Sequence, residues 1–186
     1  MNVLVISGSR NPEGQTAQAA KALIEGIGDG GGEAEIVFLP TMHIERCRQC
    51  ENDGWGICRS EGRCTIEDDF GLLVKKIKAA DTLVFATPVY FSDLSESLRA
   101  LLDRLRRTCI NEAGRSGIEG RTAIGICVAG GGGGGAPACT ESLDRTLRTC
   151  GFDVLDMIPV RRQNLEAKKA VLRSTGARIA ILPGAE

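Results

Sequence analysis

Aromatic residues supply only 4% of the 186-residue chain. A core of this composition must be mostly aliphatic, as parallel sheets covered by helices usually are. Histidine occurs once, as His43, three residues past Pro40 and four before Cys47. A lone imidazole with no visible partner reads as a loop residue rather than a ligand. Its isolation also weakens a reactive-cysteine transferase built on Cys58 or Cys64, which would lack a base. Charge of either sign is not in excess: 23 Lys and Arg stand against 24 Asp and Glu, and no basic run marks a nucleic-acid partner. Long apolar segments are missing too. The start, "MNVLVISGSR", holds four consecutive apolar residues with no basic flank, too few for a signal peptide or a membrane span. A cytoplasmic location is therefore expected, with no membrane partner. At this length a chain buries roughly 70% of the surface it exposes when unfolded, so it needs no disulfide staples.

What is present is an alternation of β-rich and helical segments. "NVLVIS" (2–7), "AEIVFLP" (34–40), "TLVFATP" (82–88), "RTAIGICVA" (121–129) and "FDVLDMIPV" (152–160) read as strands. Between them, residues 16–27, 68–81, 94–108 and 136–151 carry apolar side chains at helical spacing, and 164–182 adds a last helix weakened by Gly176. The 68–81 helix is expected to have an acidic first turn, the 94–108 helix an apolar face of leucines at 94, 98, 101, 102 and 105, and the 136–151 helix a glycine C-cap. Five strands alternating with helices predict one α/β domain over 1–186, a doubly wound five-stranded parallel sheet with helices on both faces.

Ligands of such sheets bind beyond the carboxyl ends of the strands, where three loops draw notice. "SGSRNPEGQT" (7–16) offers the hydroxyls of Ser7, Ser9 and Thr16, two glycines and a helix start whose free N–H groups suit an anion. It lacks both the P-loop ending and G-x-G-x-x-G. "TPVYFSDLS" (87–95) places Tyr90 and Phe91 at a strand end, as a stacking surface for a planar ring or as packing under the next helix. "AGGGGGGAPACT" (129–140) has six consecutive glycines, which suit close approach to a ligand, a mobile cover or a flexible linker.

Four of the eight cysteines fall in "CRQCENDGWGICRSEGRC" (47–64), spaced C-x2-C-x7-C-x5-C at Cys47, Cys50, Cys58 and Cys64. In a reducing compartment such a cluster points to metal or redox chemistry. Zinc sites usually pair two tight C-x2-C elements, and the second pair here is loose. Four thiolates are what a [4Fe–4S] cluster needs. Loop thiols without a metal complete the alternatives.

"GSRNPEGQT" and "TPVYFSDLSESLRALLDR" resemble the phosphate loop and flavin-ring loop of flavodoxin-like NAD(P)H-dependent FMN reductases, within them the iron-sulfur flavoproteins. The likeness covers roughly residues 1–160. It implies a flavodoxin-like sheet of order 2-1-3-4-5, with FMN phosphate held by Ser9, Arg10, Gln15, Thr16 and Ala17. The flavin ring would lie against Pro88, Val89, Tyr90, Phe91 and Ser92, with Gly130 and Gly131 closing the other side. Arg10 stands one place earlier than the basic residue of many relatives. The resemblance further implies an NAD(P)H-dependent flavin oxidoreductase, or an electron-transfer flavoprotein, with small-molecule or protein donors and acceptors. A flavin carries the redox chemistry itself, so no protein acid or base is required. Relatives associate as dimers or tetramers, so a homodimer or homotetramer is implied. Iron-sulfur flavoproteins commonly show C-x2-C-x2-C and a fourth cysteine at this place; here "ENDGWGI" replaces a dipeptide. The competing expectation is a zinc-stabilised binding module that keeps the fold without redox activity.

Overall fold

The five β-rich segments become strands of one sheet, and helices cover both faces of its three central strands. A computed structural model describes residues 1–181. In chain order it contains β1 (Asn2–Ser7), α1 (Gln15–Asp29), β2 (Glu33–Phe38), a 3-10 turn (Leu39–Thr41), α2 (Ile57–Ser60), α3 (Phe70–Ala79), β3 (Thr82–Pro88) and α4 (Glu96–Thr108). Then come α5 (Glu112–Arg115), β4 (Thr122–Ala129), α6 (Ala136–Cys150), β5 (Asp153–Arg161), a second 3-10 turn (Arg162–Asn164) and α7 (Leu165–Ala180). All neighbouring strands pair in parallel, in the order β2-β1-β3-β4-β5. This is the flavodoxin-like doubly wound order. The direction of winding reverses between β1 and β3, and the crevice beyond their carboxyl ends is where such folds take ligands.

Alternation along each strand sorts the core into two layers. Leu4, Ile6, Leu83, Phe85 and Cys127 face α3, α4 and α6, while Val3, Val5, Val84, Ile124 and Ile126 face α1 and α7. The central strands are apolar throughout because both of their faces are covered. All five expected leucines of the 94–108 stretch are buried, although Leu94 precedes α4. Gly151 ends α6 in the left-handed conformation at φ 100°, a position that favours glycine.

Three expectations change on folding. The acidic first turn of α3 is not there: the helix begins at Phe70, and Asp68 and Asp69 stand before it. Both carboxylates bind backbone at the end of the cysteine segment, Asp69 accepting from the His43 amide at 2.7 Å and Asp68 from the Glu45 amide at 2.8 Å. Gly176 is not a weak point in α7. There α1 and α7 cross so closely that a Cβ on Gly26 would lie 1.9 Å from the Arg173 carbonyl oxygen, and one on Gly176 2.1 Å from that of Leu23. The short helices α2 and α5 were not expected; Asn111 starts α5 and also donates to the carbonyls of Arg59 and Ser60 at the end of α2. Leu182, the last residue of the expected helix, lies outside the described residues. Among the described residues no helix is long and apolar enough to cross a membrane.

Candidate functional site

Beyond β1 the chain turns at Gly8, whose amide donates to Ala86 on β3 at 2.8 Å. A Cβ there would sit 2.3 Å from Ser95 Oγ, so glycine lets the loop press against the start of α4. Ser97 Oγ donates to the Gly8 carbonyl at 3.1 Å and fixes the same contact from the helix side. The loop then closes on itself. Ser7 Oγ accepts from the Ser9 amide at 3.3 Å, and Asn11 Oδ1 accepts from that of Glu13 at 2.9 Å. α1 begins after Gly14 with no side chain capping it. Its first-turn amides are therefore available to a ligand, backed by the positive end of the helix dipole.

The loop after β3 is a tight hairpin. Tyr90 and Asp93 exchange backbone hydrogen bonds of 3.0 and 2.9 Å across Phe91 and Ser92. Both central residues are left-handed, with φ of 50° and 65°. A turn of this kind prefers Asn-Gly, and a non-glycine residue in that conformation costs about 1–2 kcal/mol. The strain persists because the flanks are tied down. Val89 donates to the Val128 carbonyl at 2.9 Å. Asp93 Oδ1 accepts from the Leu94 amide at 2.8 Å and from Ser142 Oγ on α6 at 3.1 Å, and Asp93 pairs with Arg99 on α4. Burial opposes the charge on Asp93, but the Leu94 amide, Arg99 and Ser142 outweigh it and hold the carboxyl below its usual range. The result is a fixed shelf from which the Phe91 ring projects fully into solvent.

The glycine run makes the opposite wall, and its six members are not equivalent. A Cβ on Gly135 would lie 2.7 Å from Ser92 Cα, so this glycine lets α6 begin against the hairpin. Gly133 is left-handed at φ 74° and packs on the Arg161 side chain, while Gly130, Gly132 and Gly134 face open space. Gln163 Nε2 donates to the Gly131 carbonyl at 2.9 Å and anchors the loop tip.

Together the three loops enclose a cleft of about 510 Å³. Of the residues expected to hold FMN, Ser9, Gln15, Thr16, Pro88, Val89, Tyr90, Phe91, Ser92, Gly130 and Gly131 line it. Arg10 does not: it is exposed and lies off the wall. Ala17 is also off the wall, its side chain fully buried. None of the lining side chains carries a charge at neutral pH.

A second hollow lies against the carboxyl-terminal half of α4. Cys47, Cys50, Cys58 and Cys64 all line it, with Arg104 and Arg107, around a space of about 20 Å³. None of the four is in a disulfide. Among the described residues no three His, Cys, Asp or Glu side chains are grouped as a single metal ion requires, so the structure does not assemble the zinc site of the alternative expectation. The inserted "ENDGWGI" closes a turn in which the Glu51 amide donates to the Trp55 carbonyl at 2.9 Å. Arg107 lies 4.6 Å over the Trp55 ring and donates to the Gly54 carbonyl at 2.7 Å, and Arg59 lies 5.6 Å from the same ring. His43 is exposed, 3.9 Å from Glu45, and takes no part in the hollow.

The neck of the cysteine segment is held by a buried ion pair between Arg104 and Asp68, both essentially without solvent contact. Burial opposes charge on both, but their mutual hydrogen bonds win: Asp68 is held below the usual carboxylate range and Arg104 is raised. Cys64 beside Arg104 adds to that rise. The remaining cysteines are buried packing. A hydrogen bond with Cys139 and burial push the Cys127 thiol up, and a bond with Cys109 and burial do the same to Cys150. Sequence reasoning passed over Asp93 and Trp55, and assigned Asp103 and Arg104 to helix packing or an interface. The packing reading suits Arg104, which is buried on α4 three residues after Leu101.

Comparison with known proteins agrees with this geometry. An iron-sulfur flavoprotein of Methanocaldococcus jannaschii is 35% identical over 131 residues, 70% of this chain and 65% of that protein. One from Methanosarcina thermophila is 27% identical over 158 residues, 83% of this chain and 77% of its own. An NAD(P)H:quinone oxidoreductase from Methanothermobacter marburgensis has the same fold, with a TM-score of 0.70 at 21% identity over 100% of this chain and 99% of its own. The model of the NADPH-dependent FMN reductase family matches residues 1–177, and the chain belongs to that family.

Proposed function

We propose that the strand-end cleft holds one FMN and that the protein is an NAD(P)H-dependent flavin oxidoreductase. The observation that carries this reading is a cleft with an uncapped helix start at one end, a rigid aromatic-bearing hairpin on one wall and no charged side chain on any wall. Such a site can take a phosphate on neutral donors and a planar ring on the hairpin, and it offers no group for acid–base catalysis except the Tyr90 phenol. FMN, when bound, supplies the hydride and one-electron chemistry.

The chain's own residues bind, orient and expose. Ser9, Thr16 and the first-turn amides of α1 would donate to the phosphate, with Gln15 beside them. Pro88 to Ser92 would support one side of the ring, and Gly130 and Gly131 approach from the other without side chains to obstruct it. The open face leaves room for a nicotinamide to stack and leave before an acceptor arrives, whether a small molecule or a protein. A homodimer or homotetramer belongs to the same proposal, since the fully exposed Phe91 at the cleft rim is a surface that a second copy would cover.

The four cysteines fit a [4Fe–4S] cluster in kind, as four free thiols on one hollow with three arginines, Arg48, Arg104 and Arg107, to offset thiolate charge. Cys47, Cys50, Cys58 and Cys64 would hold it, and its chemistry would be one-electron transfer. A group larger than a water requires the limb carrying the exposed Cys50 to open outward.

FMN titration of the flavin-free protein tests the main reading. One FMN per chain should bind at micromolar concentration or tighter, with Ser9→Ala plus Thr16→Ala weakening it. Each hydrogen bond to a charged phosphate is worth about 1.5–3 kcal/mol, so the double change should weaken binding by about two to four orders of magnitude. Unchanged affinity places the phosphate elsewhere, and no binding by the parent protein overturns the proposal.

A further inference from the structure

Arg104 has one donor more than its neighbours use. A guanidinium carries five N–H groups in a fixed fork. Those of Nη1 go to the Glu45 carbonyl at 3.1 Å and Asp68 Oδ2 at 2.6 Å, and those of Nη2 to the Ile66 carbonyl at 3.5 Å and Asp68 Oδ1 at 2.9 Å. The fifth, on Nε, has no partner at hydrogen-bond geometry, although the side chain is only 1% exposed and the Cys64 side chain stands beside the guanidinium. Native proteins rarely leave a buried donor orphaned, and each case asks for an explanation. Arg104 is also part of the wall of the cysteine hollow.

Other donors and surfaces around it are already engaged. The Phe70 ring covers the guanidinium at 4.1 Å. Thr108 Oγ1 donates to the Leu105 carbonyl at 2.9 Å, and Arg107 is committed to Gly54 and Trp55. Meanwhile the Nη fork binds carbonyls two residues before Cys47 and two after Cys64, so its position relative to the thiols is fixed from both ends of the segment.

We infer that Arg104 is a positioning residue for the sulfur group of the hollow: its Nη fork closes the neck of the cysteine segment, and its Nε–H donates to a sulfur held there. This rests on the four-cysteine assignment proposed above. A hydrogen bond to sulfur favours the more negative, reduced state and so raises the reduction potential.

The experiment uses protein reconstituted anaerobically with iron and sulfide, FMN bound. Arg104→Lys keeps the charge opposite Asp68 but removes the Nε donor together with the Nη fork, so the neck of the segment is checked alongside by thermal unfolding. Its reduction potential, read by EPR-monitored titration, should fall, with the reduction equilibrium moving about tenfold, which is 59 mV for one electron. An unchanged potential in a folded, iron-loaded variant overturns the assignment and leaves the cluster reading standing. Parent protein that takes up no iron and sulfide overturns both. Should the variant fail to fold or to load, arginine labelled with 15N at Nε alone, in protein carrying Arg48→Lys and Arg107→Lys, decides by pulsed EPR: a 15N coupling to the reduced cluster supports Arg104 as the donor, and no coupling overturns it.

Discussion

Changing Asp68 to Asn tests how the cysteine segment is held. Each carboxylate oxygen of Asp68 accepts two hydrogen bonds: Oδ2 from Arg104 at 2.6 Å and the Glu45 amide at 2.8 Å, Oδ1 from Arg104 at 2.9 Å and the Phe70 amide at 3.1 Å. Asparagine keeps the shape but turns one oxygen into an NH2 that faces two donors, and it leaves the Arg104 charge buried without a counterion. Breaking a buried pair on one side costs about 3–5 kcal/mol. For a chain of this length each kcal/mol lowers Tm by about 2–4 °C, so the variant should melt about 6–20 °C below the parent. Circular dichroism with heat or urea measures it. A loss under about 1 kcal/mol would refute the reasoning, because it would mean that water or another acceptor serves Arg104. The pH dependence follows from the same pair. Asp68 is held below its ordinary value in the fold, so its stabilisation is complete above the unfolded carboxyl pKa of about 3.9 and is lost as pH falls through the lower folded value. The parent should therefore lose stability below about pH 4, and the Asn variant should lack that part of the slope.

Gly135→Ala should weaken FMN binding by about five- to 150-fold, since the new Cβ would lie 2.7 Å from Ser92 Cα and push the ring-bearing hairpin out of place at a cost of about 1–3 kcal/mol; flavin fluorescence titration measures this, and an unchanged Kd would show that the hairpin does not contact the ring. Cys47→Ala and Cys58→Ala should each abolish iron binding while FMN remains, by iron, sulfide and flavin analysis; iron that survives either change means that the ligand set is wrong.

How much of this was legible in the sequence differs from element to element. The apolar runs 2–7, 82–88 and 121–129 announced buried parallel strands, because a strand covered on both faces has no polar side to show. The Ser/Gly loop after β1 and the aromatic loop after β3 were visible for a similar reason: strand-end position and residue type together limit what a loop can bind. Local pattern also showed the leucine face of α4 and the glycine that ends α6. It could not show what depended on distant partners. Gly176 looked like a flaw in a helix until Gly26, 150 residues earlier, met it across a close crossing. Asp68 and Asp69 looked like the first turn of a helix, whereas their hydrogen bonds go to the far end of the cysteine segment. Phe91 and Ser92 carry no mark of a left-handed turn; their conformation is imposed by Asp93, Arg99 and Ser142, which converge only in the folded chain. Spacing alone likewise left the four cysteines between cluster, zinc and free thiols. Composition and periodicity determined the sheet, its layers and the loops at its carboxyl edge, since those follow from burial along the chain itself. Only the tertiary structure decided that the four thiols share one hollow, that Arg104 is buried beside them with a donor to spare, and that Arg10 stays outside the cleft, because each is a relation between side chains brought together by packing.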